Sequence, residues 1–271
     1  MSVLEGKNIA ILGGTGTVGK ALVQYILMND IPVGKILVYS RDEIKQLEMM
    51  EDFPEVGIPK MEYKIGDVRD LERLEEVLKG VDFVVHAAAI KHVVMAEKNP
   101  EECKKTNVEG TKNVIAACLR NHIKQTVLIS TDKAVNPIGV YGVSKLKAEQ
   151  LFIEVDSDST QFKVIRLGNI IGARGSVFEA FERQKKTGVI KVTHPEATRF
   201  CISQEKAAEH ILAMFDNNTE LVASPPMESF NVMELAKQIA PECKIEIIGL
   251  RPGDKLHEEI EGLSSDLKVT I

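Results

Sequence analysis

The sequence of 271 residues has no tryptophan, few aromatic residues (5%) and only four cysteines. The cysteines lie far apart and form no C-x-x-C pair; they are Cys103, Cys118, Cys201 and Cys243. This scatter argues against a disulfide framework or a zinc knuckle, and it favours a reducing, cytoplasmic setting. The six histidines lack the spacing of metal ligands. We therefore expect no metal site.

Long apolar runs and an excess of basic charge are missing as well. No apolar stretch approaches the ~20 residues that span a bilayer, and the first residues are too few and too polar for a signal peptide. The net charge of −6 argues against a general nucleic-acid or membrane surface. The composition is 44% hydrophobic and 27% charged, in a length that suits one large domain or one domain with a small appendage.

Strand and helix patterns alternate over the first two-thirds of the chain. The strand candidates are nearly continuous apolar runs, as in parallel strands that are covered on both faces. They are Lys7–Leu12, Lys35–Ser40, Lys60–Ile65, Asp82–His86, Gln125–Ser130 and Gln161–Leu167. The helical stretches between them are Thr17–Met28, Asp42–Met50, Leu71–Leu78, Pro100–Arg120 and Tyr141–Glu154. This alternation predicts an α/β fold with a Rossmann-type doubly wound parallel sheet and right-handed crossovers.

The rhythm changes after Leu167, where proline and glycine become denser. Short predicted helices (Gly175–Lys186, Gln204–Asn217 and Asn231–Ala240) mix there with short strands (Val189–Val192, Glu220–Ala223 and Lys244–Ile248). We interpret residues 1–167 as a Rossmann domain that binds the cofactor and carries the catalytic residues. Residues 168–271 are then mainly a small C-terminal α/β substrate-binding cap, interwoven with the first domain.

A glycine-rich loop follows the first predicted strand and opens the first helix. Gly13, Gly16 and Gly19 have the spacing G-x-x-G-x-x-G. The first glycine allows a tight turn, the second lets backbone N–H groups approach a pyrophosphate, and the third lets the helix meet the sheet. A glycine turn without a ligand is the alternative, but the position between strand and helix favours a dinucleotide site. The other predicted cofactor contacts in this loop are Thr15, Thr17 and Val18.

The end of the second strand predicts which dinucleotide binds. An NAD enzyme usually ends this strand with an acid that bonds the ribose 2′-hydroxyl, whereas Ser40 and Arg41 stand here and suit a 2′-phosphate. We therefore expect NADP; NAD is less favoured and is supported only by Asp42, which comes next. Arg41 as a solvated loop charge is the alternative interpretation. Further cofactor contacts are predicted where the third and fourth strands end, at Asp67, Val68, Ala87, Ala88 and Ala89, with helix capping as another role for Asp67.

Acid/base side chains cluster after the fifth predicted strand. Tyr141 and Lys145 put a phenol and an ammonium about one turn apart on one helix face. Because a neighbouring ammonium favours phenolate, we expect Tyr141 to act as a base well below its usual pKa of about 10. Asp132 and Lys133 add a second acid/base pair, which alcohol oxidation alone does not need. A loop salt bridge is the alternative, but ligands bind at this edge of such sheets.

In combination, these segments resemble the extended short-chain dehydrogenase/reductases that act on nucleotide sugars. More narrowly, the chain resembles C5-inverting UDP-N-acetylglucosamine 4,6-dehydratases, which open the route to pseudaminic acid and related bacterial surface sugars. The likeness extends to about Glu258. The segments that carry it are Tyr39-Ser40-Arg41-Asp42-Glu43, Gly66-Asp67-Val68-Arg69-Asp70, Ala87-Ala88-Ala89-Ile90-Lys91-His92-Val93, Ser130-Thr131-Asp132-Lys133-Ala134, Arg166-Leu167-Gly168-Asn169, Thr198-Arg199-Phe200 and Gly249-Leu250-Arg251-Pro252-Gly253-Asp254-Lys255-Leu256-His257-Glu258.

The resemblance implies a mechanism. Tyr141, helped by Lys145 and Thr131, takes the proton of the sugar 4-hydroxyl while a hydride passes from C4 to NADP. Lys133 then removes the C5 proton and must be neutral to do so, for which we expect desolvation to lower its pKa. Asp132 assists departure of the C6 hydroxyl as water. The hydride returns to C6, so the cofactor is regenerated.

The resemblance also implies the substrate contacts. Lys91 and His92 border the sugar pocket, beside the base Lys133, and Asn169 meets a phosphate or sugar oxygen. Arg199 and Arg251 suit the pyrophosphate of UDP through charge-assisted contacts, with ordinary surface cations as the alternative. Thr193 and Glu258 are expected near the uridine. The stretch Gly175–Phe181 lacks the proline and paired aromatic residues expected there, which affects the positioning of the sugar.

Several other functions stay open at this point. The enzyme could make or reduce a UDP-sugar 5,6-ene in a split pathway, retain the C5 configuration, or act as a UDP-sugar C4 epimerase. A non-catalytic NADP-binding sensor is the alternative from another class, although Thr131, Asp132, Lys133, Tyr141 and Lys145 are all present. We expect a homo-oligomer, because helices Pro100–Arg120 and Tyr141–Glu154 commonly form a four-helix dimer interface in this superfamily and the relatives often form hexamers.

Overall fold

The structure is a computed structural model that describes residues 3–54, 59–216 and 220–262. The strands are β1 (Asn8–Leu12), β2 (Lys35–Ser40), β3 (Lys60–Ile65), β4 (Phe83–His86), β5 (Gln125–Thr131), β6 (Gln161–Leu167), β7 (Asn169–Ile170), β8 (Val189–Val192), β9 (Thr198–Ile202), β10 (Val222–Ala223), β11 (Glu228–Asn231) and β12 (Lys244–Ile247). The helices are α1 (Thr17–Met28), α2 (Glu43–Asp52), α3 (Leu71–Val77), α4 (Val93–Lys98), α5 (Pro100–Lys104), α6 (Gly110–Arg120), α7 (Val140–Ile153), α8 (Val177–Lys185), α9 (Gln204–Asp216) and α10 (Val232–Ile239). Within the described ranges, no helix is long and apolar enough to cross a membrane.

A parallel sheet of seven strands, counted over the described residues, organises the chain. Its order is β10-β6-β5-β4-β1-β2-β3, which is the doubly wound arrangement with the crossover between β1 and β4. Because each strand is apolar on both sides, the sheet buries two cores. One core lies under α1 and α9, and the other lies under α3, α6 and α7. The predicted fold class is confirmed.

The C-terminal part forms smaller sheets beside the carboxyl ends of the main strands. The strand order β11-β9-β7 makes one sheet, and β8 pairs with β12 in the other. Phe181, Ile190 and Val192 are buried there with residues of α10 in a core of their own. α9 and β10, however, return to the main sheet, where the rings of Phe83 and Phe215 lie 5.0 Å apart. The cap and the Rossmann layer are therefore interwoven, and the boundary at residue 167 stays a prediction.

The single helix predicted over 100–120 is interrupted. α5 ends at Lys104, a π-helical turn spans Lys105–Glu109, and α6 begins at Gly110. Asn107 sits in this turn with its side-chain oxygen accepting from the Ile90 N–H (2.8 Å) and its amide donating to the Ile90 carbonyl (3.0 Å). We attribute the wider turn to these two hydrogen bonds with the neighbouring loop. Single π-helical turns of this kind are frequent at functional sites.

Other differences concern short elements. α4, β7, β9 and β11 were not predicted, because their sequences mix polar and apolar residues. The strand predicted over 220–223 is reduced to Val222–Ala223, and the helix predicted to end at Asn217 is described as far as Asp216. Asn217 lies outside the described residues. The six predicted strands of the first two-thirds are present within one or two residues at each end.

A buried ion pair joins the sheet to α7. The Arg166 guanidinium on β6 donates to Glu149 at 2.7 and 3.0 Å, and Ser130 donates to the same carboxylate at 2.5 Å. Arg166 also donates to the Gly262 carbonyl at 2.6 Å and to that of Ile260 at 3.4 Å. The side chains of the pair are 2% and 0% exposed. This network ties the end of the described chain to the strands that carry the site.

Removing one partner of this pair tests its structural importance. We expect Arg166→Met to lower the free energy of unfolding by about 3–5 kcal/mol, because the Glu149 charge is left buried without its partner. The matched control is Arg120→Met, which removes the exposed partner of Glu75 and should cost about 0–1 kcal/mol. Urea unfolding of both variants measures the difference, and equal losses would contradict this account.

Candidate active site

A cavity of about 720 Å³ opens at the carboxyl edge of the main sheet. It lies beyond the carboxyl ends of the paired strands β1 and β4, where the strand order reverses. Ligands bind at this place in such folds. The predicted cofactor residues that line it are Gly13, Thr15, Gly16, Thr17, Val18, Ser40, Arg41, Asp67, Val68, Ala87, Ala88, Ala89, Tyr141 and Lys145. Gly19 does not line the cavity; a Cβ there would lie 2.1 Å from the Gly14 carbonyl oxygen. Its role is therefore to let α1 start against the turn.

The glycine loop packs so closely against the neighbouring backbone that a side chain at Gly13 would not fit. Gly13 has φ +83°, and a Cβ on it would lie 2.7 Å from the backbone nitrogen of Ala88. Gly16 occupies the N-cap of α1 without a side-chain cap. The first N–H groups of that helix are therefore available to a ligand, and they favour an anion such as a pyrophosphate. The residues present thus fit a dinucleotide.

The acid after β2 is already engaged. Asp42 caps α2 by accepting from the Lys45 N–H at 3.0 Å, and its other oxygen pairs with the Lys45 ammonium at 2.5 Å. These bonds lower the pKa of Asp42. Arg41, by contrast, has a side chain that is 55% exposed and only a 3.3 Å contact with Asp67. Arg41 is therefore a mostly exposed cation at this strand end, with Asp67 as its ion-pair partner.

Asp67 is surrounded by cations. Arg69 donates to its carboxylate at 2.7 and 3.0 Å, in addition to the contact from Arg41. Burial opposes ionisation, but these bonds and charges lower the pKa of Asp67. Asp67 also accepts from the Arg69 N–H at 3.0 Å, while the cap of α3 is Asp70. The helix-capping role considered for Asp67 is wrong, and its predicted contact with adenine stays a prediction.

Four polar side chains meet where β5 ends. Thr131 is the last residue of β5, and Asp132 and Lys133 lie in the 3-10 turn that follows. Thr131 Oγ1 donates to Asp132 Oδ1 at 2.8 Å, and Lys133 Nζ donates to the same oxygen at 3.0 Å. Tyr141 comes from the first turn of α7, and its phenol lies close to the Thr131 hydroxyl. All four line the cavity.

The protonation of Lys133 differs from the expectation. Burial by itself would lower the pKa of Lys133, but the carboxylates of Asp132 and Glu258 raise it well above the ordinary lysine value. Glu258 lies 3.3 Å from Lys133 Nζ. The expected lowering of this pKa is therefore wrong, because the charges of Asp132 and, after it, Glu258 outweigh the effect of burial.

The tyrosine also differs from the expectation. Burial raises the pKa of Tyr141 to about 12, while the Lys133 charge and the Thr131 hydrogen bond act in the opposite direction. Lys145 donates to the Ile129 carbonyl at 2.8 Å, and burial lowers its own pKa to about 8. The side chains of the polypeptide alone do not lower the pKa of Tyr141, so that prediction is wrong.

The predicted substrate residues fall into two groups. Lys91, His92, Lys133 and Asn169 line the cavity. Thr193, Arg199, Arg251 and Glu258 do not. Arg251 pairs with Asp254 at 2.7 Å, and Arg199 donates to the carbonyls of Thr198 and Leu256. The assignments of this second group to UDP stay predictions, and the side chain of Glu258 is 1% exposed.

A glycine-rich loop closes one side of the cavity. The resemblance had linked its Gly175 end to the positioning of the sugar, but residues 172–174 were not predicted to line the site. Gly172, Ala173, Arg174, Gly175 and Ser176 all line it, together with Gln204. Gly175 has φ +74°, and a Cβ there would lie 2.1 Å from the His92 ring. Lys91 donates to the Arg174 carbonyl at 3.0 Å. The paired glycines were the available signal, but they belong to no motif with a known mechanism.

No group of three or more His, Cys, Asp and Glu side chains suited to a metal occurs in the part of the chain that the structure describes. The groups that converge are instead a phenol, a carboxylate and two amines beside a dinucleotide-shaped cavity. The doubly wound sheet, the glycine loop and the Tyr141-x-x-x-Lys145 helix define an extended short-chain dehydrogenase/reductase. The chain belongs to the polysaccharide biosynthesis protein family, whose profile matches residues 9–269.

Three relatives place the chain more narrowly. It is 44% identical over 267 residues to the UDP-N-acetylglucosamine 4,6-dehydratase (inverting) of Campylobacter jejuni serotype O:2, covering 96% of this chain and 78% of that protein. It is 36% identical over 266 residues to the UDP-glucose 4-epimerase of Rickettsia akari, covering 94% and 77%. The X-ray structure of Pen from Bacillus thuringiensis matches with a TM-score of 0.89 and 33% identity, covering 96% of this chain and 83% of that one. The predicted family resemblance is confirmed.

Proposed function

We propose that the protein is an NADP-dependent UDP-N-acetylglucosamine 4,6-dehydratase that inverts C5. The observation that carries the proposal is the 3.0 Å contact between Lys133 and Asp132 inside the cavity that Tyr141 also lines. One base suffices to oxidise an alcohol, whereas elimination of water needs a base at C5 and an acid at C6. The 44% identity to the inverting dehydratase of Campylobacter jejuni supports the substrate and the stereochemistry. A product of this kind suits the synthesis of bacterial surface sugars such as pseudaminic acid.

The first step is removal of the proton from the sugar 4-hydroxyl by Tyr141. A bound oxidised NADP would be held by the glycine loop and would supply the hydride acceptor for C4 and the hydride donor for C6. The Thr131 hydroxyl and the Lys133 charge favour the phenolate of Tyr141. Lys145 lies one turn further along α7 and is held by the Ile129 carbonyl. Through this hydrogen bond, its ammonium anchors the first turns of α7, which carry Tyr141, to β5.

The second step uses Asp132 and Lys133 as a pair. Transfer of one proton from Lys133 Nζ to Asp132 Oδ1 across their 3.0 Å contact gives a neutral amine and a carboxylic acid. The amine then takes the C5 proton, which the new 4-ketone has made acidic, and the acid gives its proton to the C6 hydroxyl. The C6–O bond breaks and water leaves. The pair returns to ammonium and carboxylate. As the hydride returns to C6, C5 takes a proton from solvent and Tyr141 releases the proton that it took from the 4-hydroxyl, so protons balance.

Product analysis in deuterated water tests this sequence of steps. With UDP-N-acetylglucosamine, NMR should show a C6 methyl group and deuterium at C5. Tyr141→Phe should form neither product nor reduced cofactor. Lys133→Met should still form reduced cofactor, because Tyr141 is retained, but it should slow C5 deuteration by about 10²–10⁴-fold, because the C5 base is lost. Lys186→Met, at an exposed lysine outside the cavity, serves as the control.

Other outcomes of the same experiment would contradict the proposal. Wild-type turnover by Lys133→Met would exclude Lys133 as the base. Conversion to the C4 epimer without a C6 methyl would favour the epimerase activity carried in name by the Rickettsia relative. An exocyclic 5,6-alkene would identify an enzyme of a split pathway. A retained C5 configuration would exclude inversion at C5. Nucleotide binding without any turnover would favour a non-catalytic NADP-binding sensor.

NADP is the cofactor we propose, because Asp42 is occupied and Arg41 is a mostly exposed cation that can meet a 2′-phosphate. Arg41→Ala should weaken NADP binding by about 10- to 100-fold, as expected for loss of a charge-assisted bond. NAD binding should change little. Fluorescence titration with both reduced cofactors measures this, with the exposed Arg183→Ala as the control. Equal losses for both cofactors would contradict the assignment.

We also propose that the protein forms a homo-oligomer. Val143, Lys147 and Leu151 recur at four-residue spacing along one face of α7 and are half-buried. Such a stripe suits packing against the same helix of a second copy. Light scattering over a range of concentrations tests this: we expect at least a dimer, and a monomer throughout would contradict it.

A further inference from the structure

Glu258 occupies a position that its predicted role does not explain. Its carboxylate is 1% exposed and does not line the cavity. It lies behind Lys133, with Oε1 3.3 Å from Lys133 Nζ and 3.8 Å from Arg199 Nε. The other oxygen, Oε2, is 4.0 Å from Lys255 Nζ. Glu258 is therefore enclosed by three cations, and Lys133 is the one that faces the cavity.

The other two cations have backbone partners. Lys255 Nζ donates to the Val135 carbonyl, and Arg199 donates to the carbonyls of Thr198 and Leu256. Lys133, by contrast, meets carboxylates from two sides, Asp132 within its own turn and Glu258 from a segment distant in sequence. Of these three cations, Lys133 is thus the one that contacts two carboxylates.

The segment that carries Glu258 is held on both sides. The Thr198 N–H donates to the Leu256 carbonyl at 3.1 Å, before Glu258. After it, Arg166 donates to the carbonyls of Ile260 and Gly262. A buried carboxylate fixed in this way acts with little loss of side-chain freedom, so its effect on Lys133 is built into the fold.

Two buried oxygens in this cluster have no hydrogen-bond partner among the described residues, Asp132 Oδ2 and Glu258 Oε2. An unpaired buried acceptor loses its hydrogen bonds to water without replacing them, which costs stability. Such a cost is tolerated where the group has a functional role. Asp132 and Glu258, which lie on either side of Lys133, therefore each have one oxygen that can accept a proton.

We infer that Glu258 is a positioning residue that keeps Lys133 protonated and directs its ammonium toward Asp132. The groups that face Lys133 are Asp132, Glu258 and the phenol of Tyr141; Arg199 and Lys255 act on it through Glu258. The meaning of this arrangement for catalysis depends on the proposed function, because Lys133 is the C5 base only in that reaction. The arrangement itself does not depend on any substrate.

Chemical labelling of Lys133 tests the inference directly. Competitive acetylation with acetic anhydride across a pH series, read by mass spectrometry, gives the midpoint pH at which the Lys133 amine becomes reactive. Glu258→Gln keeps the shape of the side chain and removes its charge. Its midpoint should fall by about 1 pH unit, since an opposite charge within 4–6 Å holds a proton on the amine. Glu261→Gln, an exposed acid in the same segment, should leave the midpoint unchanged.

An unchanged midpoint in Glu258→Gln would overturn the inference. If that variant does not fold, Glu258→Asp decides, because it keeps the charge but draws the carboxylate away from the amine: the Lys133 midpoint should fall by less than is expected for Glu258→Gln, and an unchanged midpoint would overturn the inference. The assay needs no nucleotide sugar, so its result is separate from the product analysis. A protein that turned over no UDP-N-acetylglucosamine but showed the shift would lose the proposed function and keep the inference.

Discussion

The site depends on one buried ammonium held between two carboxylates. Lys133 contacts Asp132 at 3.0 Å and Glu258 at 3.3 Å, in surroundings that exclude most water. Burying such charges is costly unless they are paired, and the pairing here is what allows a lysine to sit beside the cavity in charged form. The carboxylates of Asp132 and Glu258 therefore determine how readily Lys133 loses its proton. This suits a group that must give up and regain a proton.

The fold brings these groups together from distant parts of the chain. β5 ends at Thr131 and delivers Asp132 and Lys133 to the carboxyl edge of the sheet. α7 returns from there, so that Tyr141 in its first turn faces the same cavity. The Arg166–Glu149 pair beneath α7 holds the final described segment and with it Glu258. The same buried network thus supports the helix of the phenol and the segment of the second carboxylate.

Much of the fold was predictable, because parallel strands that are buried on both faces leave continuous apolar runs in the sequence. The glycine loop and the residues after β5 were predictable because their spacing carries a mechanism. The raised pKa of Lys133 was not, since it depends on how closely the carboxylates of Asp132 and Glu258 approach the amine in the folded chain. Nor was the break at Asn107, where a side chain bonds the backbone of another segment. The close approach of Gly175 to the His92 ring was not predicted, because it leaves no pattern in the sequence.

The most direct test of the account is a crystal structure of the protein with NADP and UDP-N-acetylglucosamine. We expect Lys133 Nζ within about 3.5 Å of the sugar C5, and Tyr141 Oη at a similar distance from the 4-hydroxyl, as reacting groups require. Lys133 should keep its contact with Asp132. A sugar ring bound away from Lys133, with another side chain between the amine and C5, would contradict the central claim.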